Sequence, residues 1–237
     1  MDNYKIWLDG ISNEYAGIRL QGALKISAPE PNVTTVSVPG RNGDLHYYDG
    51  TYKNRTGTID AYVYHEYAVK SEFGRVYHWL FDAYGYRKLV SDDDRAHYML
   101  ARVKNGAEID AKIRKIAPFE IKFDCMPQRF LFAGDDPIDI SVDTAIENPT
   151  IFTSEPLYKI YGSGQGTLTV GARTAEISGI DEYIYYDAET EKAYKDAVNL
   201  NAYISCKDPL LFERGEQNVS FTGGITKIEI IPRWWEL

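Results

Sequence analysis

Apolar and polar positions alternate along this chain in two rhythms. Over roughly the first half, β-branched and aromatic residues gather in short runs: Tyr4 to Leu8, Val33 to Val38, Thr58 to Tyr64, Ala96 to Val103 and Phe119 to Asp124. Runs of that length, bounded by polar and turn-forming residues, predict strands. One stretch differs. Val69, Phe73, Val76, Tyr77, Leu80 and Tyr84 recur at helical spacing, and Gly85 follows where a helix C-terminus favours positive φ. The spacing predicts one amphipathic helix over residues 69–84, packed on a sheet by its terminal aromatics and Trp79.

Further on the strand rhythm continues without a helix, through Pro156 to Tyr161, Gly166 to Val170, Tyr183 to Tyr186, Asn218 to Phe221 and Lys227 to Ile231. Gly162-Ser163-Gly164, Asp187-Ala188-Glu189-Thr190 and Thr222-Gly223-Gly224 read as the turns between them. Many short strands at regular intervals predict an antiparallel β-sandwich. The small, polar stretch Ala133-Gly134-Asp135-Asp136-Pro137 is of the kind that joins domains. The expectation is a mainly β, two-domain chain. Residues 1–130 form a β-sandwich or barrel-like domain with one helix, and residues 131–237 an antiparallel β-sandwich.

Charge sharpens that division. The net charge is −9, but residues 1–129 hold 18 basic and 17 acidic side chains, whereas residues 130–237 hold 8 basic and 18 acidic. One half carries nearly all the acidity. A nucleic-acid surface built on Lys and Arg is not expected. No apolar run approaches the roughly 20 residues that cross a bilayer, and Met1-Asp2-Asn3-Tyr4 has no leader pattern, so membrane insertion is not expected and the chain is expected to start in cytosol.

Candidate chemistry is sparse. Gly162-Ser163-Gly164-Gln165-Gly166 resembles a phosphate loop in composition, but a strand and not a helix follows it. Asp92-Asp93-Asp94 lacks the ligand spacing of a calcium loop and reads as a solvated turn. Asp187, Glu189 and Glu191 read as a hairpin tip, because paired glycosidase carboxylates are defined by separation in space. His46, His65, His78 and His97 show no metal-binding spacing, and no serine sits in a nucleophile elbow. Cys125 and Cys206 read as buried free thiols. The Asn-x-Ser/Thr matches at Asn32, Asn54 and Asn218 read as chance. Catalytic residues, metals and cofactors are expected to be none.

The stretch from Val38 to Arg55 is different in kind. Pro, Gly, Asn and Asp lie between two strand patterns over a length too great for a tight hairpin, and long loops in compact domains are usually functional or disordered. Its tyrosines and arginines suit a protein contact. The expected contact residues over 39–55, a stretch that the resemblance below implies is a belt, are Pro39, Gly40, Arg41, Asn42, Gly43, Tyr47, Tyr48, Tyr52 and Arg55.

Those same residues carry a resemblance. Pro39-Gly40-Arg41-Asn42-Gly43, with Gly50-Thr51-Tyr52 and Asn54-Arg55, resembles the signature of the siphophage distal tail protein family. Phe123-Asp124-Cys125-Met126-Pro127 resembles the strand that closes the family's first domain. Ser154-Glu155-Pro156 with Ile160 to Gly164 resembles the opening of its second. Tyr183-Ile184 with Asp187, Gly215 to Asn218, and Ile231-Pro232-Arg233-Trp234 follow in order. Asn42 stands where the family often has Asp.

The resemblance implies a structural tail-tip protein, not an enzyme, present in the virion tail tip and assembled in the bacterial host cytoplasm. Six copies would form a ring around a channel, the belt reaching the next subunit and galectin-like, carbohydrate-module-like second domains projecting outward. The implied partners are other copies of the chain, the major tail tube protein and a tail-associated tip protein. The alternative is a carbohydrate-binding module contacting host saccharides through Tyr185, Tyr186, Trp234 and Trp235. Strand alternation sends one of each adjacent pair inward, so only part of that set can form a platform.

Overall fold

The computed structural model describes residues 4–104 and 115–237; Met1 to Asn3, part of the stretch expected to hold no leader, lie outside the described residues. The chain divides into two compact units, one running to Arg129 and taking in Leu237, the other Phe130–Glu236.

The first unit contains β1 (Ile6–Leu8), β2 (Ile11–Ser12), β3 (Ile18–Ile26), β4 (Pro31–Val36), β5 (Leu45–Tyr52), β6 (Arg55–Tyr64), α1 (Phe73–Phe81), β7 (Arg87–Ser91), β8 (Asp94–Val103) and the start of β9 (Ile116–Leu131). Its sheet runs in the order β2-β1-β7-β8-β9-β6-β3. The core follows from period-two alternation. Ile59, Ala61 and Val63 of β6 face inward opposite Ile121, Phe119 and Ala117 of β9.

The helix is shorter than its apolar spacing suggests. A 3₁₀ turn at Val69–Glu72 precedes α1, where the Ser71 hydroxyl bonds back to the Ala68 carbonyl. At the other end the Trp79 carbonyl accepts from buried Arg87 at 2.7 Å, and Gly85, with φ at 127°, turns the chain away. Val76, Trp79 and Leu80 bury against the sheet, and the Trp79 indole donates to the Ile11 carbonyl. Tyr84, expected to pack inward, is fully exposed, and Tyr77 is exposed as well. The acidic run Asp92 to Asp94 links β7 to β8, and its carboxylates pair with Arg95, the Tyr4 hydroxyl, and His97 and Arg129.

β4 and β5 stand apart. Among the described residues they pair only with each other, as a two-stranded ribbon. This overturns the reading of 39–55 as a loop: residues 45–52 are a strand, and the true connection is residues 37–44.

The second unit contains β10 (Ile138–Ile140), β11 (Thr144–Asn148), β12 (Leu157–Val170), β13 (Arg173–Asp187), β14 (Lys192–Lys195), β15 (Val198–Asn199), β16 (Ile204–Cys206), β17 (Gly215–Ile231) and β18 (Trp235–Glu236). Three long strands, β12, β13 and β17, form its trunk. The glycine groups at 162–166 and 222–224, expected to be turns, lie inside β12 and β17, where the register between the two strands shifts. A Cβ on Gly224 would lie 1.8 Å from the Ser163 carbonyl oxygen, and one on Gly162 would lie 2.1 Å from that of Gly224. Backbones this close leave room for no side chain, so the strands bulge and bend together there. Residues on both sides of the bend, Tyr158, Ile160, Leu168 and Val170 of β12 among them, then share one core with Ile184, Tyr186, Phe212 and Ile228.

Candidate functional site

The β4–β5 ribbon is the part of the first unit that its own core does not need. The core draws on Ile6, Leu8, Ala16 and Ile18 and on residues from Ile59 onward, with Leu20, Leu24 and Ile26 at its edge, and takes nothing from residues 27–57. Yet the ribbon is not polar. Val33, Val36, Val38, Leu45, Tyr47 and Tyr48 are all exposed, Tyr47 at 68%. Register distributes them over both faces, because directly paired residues share a face. Val33 pairs with Tyr48 on one side; Val36 pairs with Leu45, and Thr34 with Tyr47, on the other. The Tyr48 and Tyr52 rings meet edge to face at 6.0 Å, and hydrogen bonding to Tyr52 pushes the Tyr48 phenol up to about 12. At the tip, Gly40 and Gly43 take φ of 82° and 79°, and the Arg41 N–H donates to the Val38 carbonyl. Pro39, Arg41 and Asn42 are carried there, exposed.

The root is as fixed as the tip is open. The Lys53 N–H donates to the Glu30 carbonyl at 2.8 Å, and the Asn32 amide to the Thr51 hydroxyl at 2.6 Å. The Asn54 amide donates to the Tyr86 hydroxyl at 2.7 Å and to Asp124 at 3.2 Å, and Arg102 donates to Asp124 at 2.9 Å. Arg55, expected as a contact residue, belongs to this root: its side chain donates to the Ser27 carbonyl of its own subunit at 2.8 Å. The site is therefore an arm with a pinned base, an apolar shaft on both faces and a glycine-shaped tip.

Residues 14–125 match the model of the phage tail protein RIFT-related domain. The likeness extends to the whole chain in a solved structure, the SPP1 Dit protein, described as a paradigm of the hub adsorption apparatus of phages infecting Gram-positive bacteria. The TM-score is 0.73, the identity 11%, and 99% of each chain is covered. This bears out the resemblance drawn from the sequence: the chain has the fold of the distal tail proteins, mainly β throughout. No curated protein matches the sequence.

The four aromatics that the saccharide reading invokes do not form one platform. Tyr186 and Trp234 are buried, at 1% and 4% exposure, within the second core. Trp235 stacks on Phe152 at 4.5 Å and donates its indole N–H to the Thr153 carbonyl. Tyr185 stacks on Tyr194 at 5.2 Å, in a row with Tyr183 and Tyr161 beside the Lys159 ammonium. Asp187 and Glu189 both accept from Arg233, at 2.7 and 3.1 Å, which makes them ion-pair partners of a C-terminal residue. Among the described residues no His, Cys, Asp and Glu cluster could hold a metal ion, and no helix is long and apolar enough to cross a membrane.

Proposed function

We propose that this chain is a structural hub of a phage tail tip, assembling into a ring that joins the tail tube to the tail-associated tip protein. The arm is the observation that carries the reading. An isolated two-stranded ribbon is marginally stable in water, and one with apolar side chains on both faces calls for a partner on each. A ring of identical subunits needs two different patches per copy, and an arm that crosses to its neighbour supplies one without altering the core. The hub description of SPP1 Dit, a protein of the same fold, supports the same role here. Six copies are expected. The chain then acts by assembly and not by catalysis, within the virion tail, after assembly in the host cytoplasm. Acidity concentrated in the second unit keeps neighbouring copies of it soluble and apart.

The test removes the arm at its root. Pro31 and Tyr52 are cross-strand partners, so Asn32 to Thr51 can be replaced by an Asn-Gly turn without moving β3 or β6. The shortened chain should melt like the parent and show no rings by negative-stain microscopy at concentrations where the parent forms them. Rings from the shortened chain would overturn the assignment. The alternative, a saccharide-binding module, draws no support from Tyr185, Tyr186, Trp234 and Trp235 as a set.

A further inference from the structure

The second unit carries an open cleft of about 410 Å³ that the assembly reading leaves unused. Its floor is a cross-strand row. Ser205 of β16 pairs with Glu176 of β13, Glu176 with Thr167 of β12, and Thr167 with Thr222 of β17. Directly paired residues share a face, and Ala175, Ile177 and Leu168 on either side are buried in the core, so all four side chains of the row point outward. Three interstrand steps of about 4.8 Å give the row a length of roughly 14 Å, the span of about four residues of extended chain.

The row holds one charge, and it is uncompensated. Glu176 is exposed and has no hydrogen-bond or ion-pair partner among the described residues, and no Lys or Arg lines the cleft. Other carboxylates of the unit do have cations: Arg173 holds Glu213, Lys195 holds Glu182, Lys227 holds Asp139, and Arg233 holds Asp187 and Glu189. On the flank of the cleft, the 3₁₀ turn Asn201–Tyr203 carries the Tyr203 ring, which rests on Gly179 so closely that a Cβ there would lie 2.5 Å from it. The ring is thus held in place, yet Tyr203 remains 46% exposed. Tyr203 lies two residues before Ser205, the cross-strand partner of Glu176, so ring and carboxylate border the same space.

We propose that this cleft docks an extended, basic segment of a partner protein by way of an arginine. A guanidinium gives two parallel N–H donors to one carboxylate and also lies flat on an aromatic ring, which is the pair of groups that Glu176 and Tyr203 present. Lysine fits less well, because its ammonium is a point charge that makes no such fork. The hydroxyls of Ser205, Thr167 and Thr222 both donate and accept, and so suit the N–H and C=O groups of a peptide backbone laid along the row. Charge complementarity decides the class of partner. Residues 130–237 hold 8 basic against 18 acidic side chains, so the field over the cleft draws cations and repels polyanions. This docking does not rest on ring assembly, since no residue of the arm takes part.

The probes are short blocked Gly-Ser peptides carrying arginine, lysine or glutamate, titrated into the full-length chain and followed through backbone amide shifts. Arginine peptides should move the amides of Glu176, Tyr203 and Ser205, lysine peptides should bind several-fold more weakly, and glutamate peptides should not bind. Glu176→Gln should weaken arginine-peptide binding by about tenfold, and Tyr203→Ala should weaken it too, whereas Tyr203→Phe should keep it. The control is Asp143→Asn, which removes the same charge from an exposed position outside the cleft and should leave binding unchanged. Glu176→Gln should melt like the parent and carries the test if Tyr203→Ala misfolds. Arginine peptides that move no cleft amide, full binding by Glu176→Gln, or equal losses in Glu176→Gln and Asp143→Asn would each overturn the proposal, the last by showing attraction to the acidic unit at large. Ring formation should be the same in all these variants, so loss of docking and loss of assembly are read separately.

Discussion

The arm reading makes its sharpest demand on one face of the ribbon. Val36, Leu45 and Tyr47 lie together there and remain 48%, 43% and 68% exposed. Complete burial of a large apolar side chain contributes about 1.5–3 kcal/mol, so covering what is still exposed adds about 1 kcal/mol for each, or about 3 kcal/mol for each contact. Replacing all three with threonine keeps the β-forming character of the ribbon while removing most of that apolar area. The subunit itself should be indifferent, within about 0.5 kcal/mol, because none of the three touches its core. The dissociation constant of each contact should rise about a hundredfold. Sedimentation velocity over a dilution series reads the shift as a higher concentration for ring formation, with thermal melts as the control for folding. If the triple variant assembles over the same concentration range as the parent, this face of the arm does not hold subunits together.

Two further outcomes follow from the fold. Gly224→Ala places a methyl group 1.8 Å from the Ser163 carbonyl, and should destabilise the second unit by about 3 kcal/mol or more, read as a lowered unfolding midpoint; an unchanged midpoint would show that the bend can relax. At the root of the arm, burial pushes the Asp124 carboxyl up, but hydrogen bonds from Arg102 and Asn54 and the charges of Arg102 and Lys104 outweigh it and leave the group below its ordinary 3.8. A depressed carboxylate stabilises the folded state fully above its ordinary value, and that contribution disappears as the pH falls through the lower folded value. Melting temperatures measured down an acid series should therefore fall less steeply below about pH 4 in Asp124→Asn than in the parent. Identical acid limbs would remove Asp124 from the root's stability.

The parts of this protein legible in its sequence are those decided by near neighbours along the chain. Alternation in Thr58 to Tyr64 and Phe119 to Asp124 placed β6 and β9, because burying one face of a strand leaves a period of two. The apolar spacing from Val69 to Tyr84 located the helix but not its ends, since Gly85 and the Arg87 contact act on its last turn from outside the pattern. The glycines misled in both units for one reason. Gly162 to Gly166 and Gly223-Gly224 look like turns when each is read on its own strand, and only their pairing across β12 and β17 makes them one bend. Likewise Gly50, followed by Thr51 and Tyr52, reads as loop, although β4 opposite holds that stretch in a ribbon.

That the proposed contact segment is a ribbon and not a loop matters for how tightly it would hold a neighbour. Ordering a flexible segment on binding costs about 0.5–1.5 kcal/mol for each mobile side chain, with backbone entropy added, and that cost is subtracted from whatever the contact gains. Here the pairing of Pro31 with Tyr52, the Asn32 to Thr51 bond and the Asn54 to Asp124 bond fix the direction of the arm before any partner arrives. Stability falls off toward the tip, where Arg41 to Val38 is a turn bond between exposed residues. On the proposed reading, an arm rigid at its root and weakly held at its tip would reach its neighbour with most of the ordering already done and settle fully only when covered. Hydrogen exchange separates these states: amides of Tyr47 and Tyr48 should exchange fast in the monomer and slowly in the ring, while those of Lys53 and Thr56 should be protected in both.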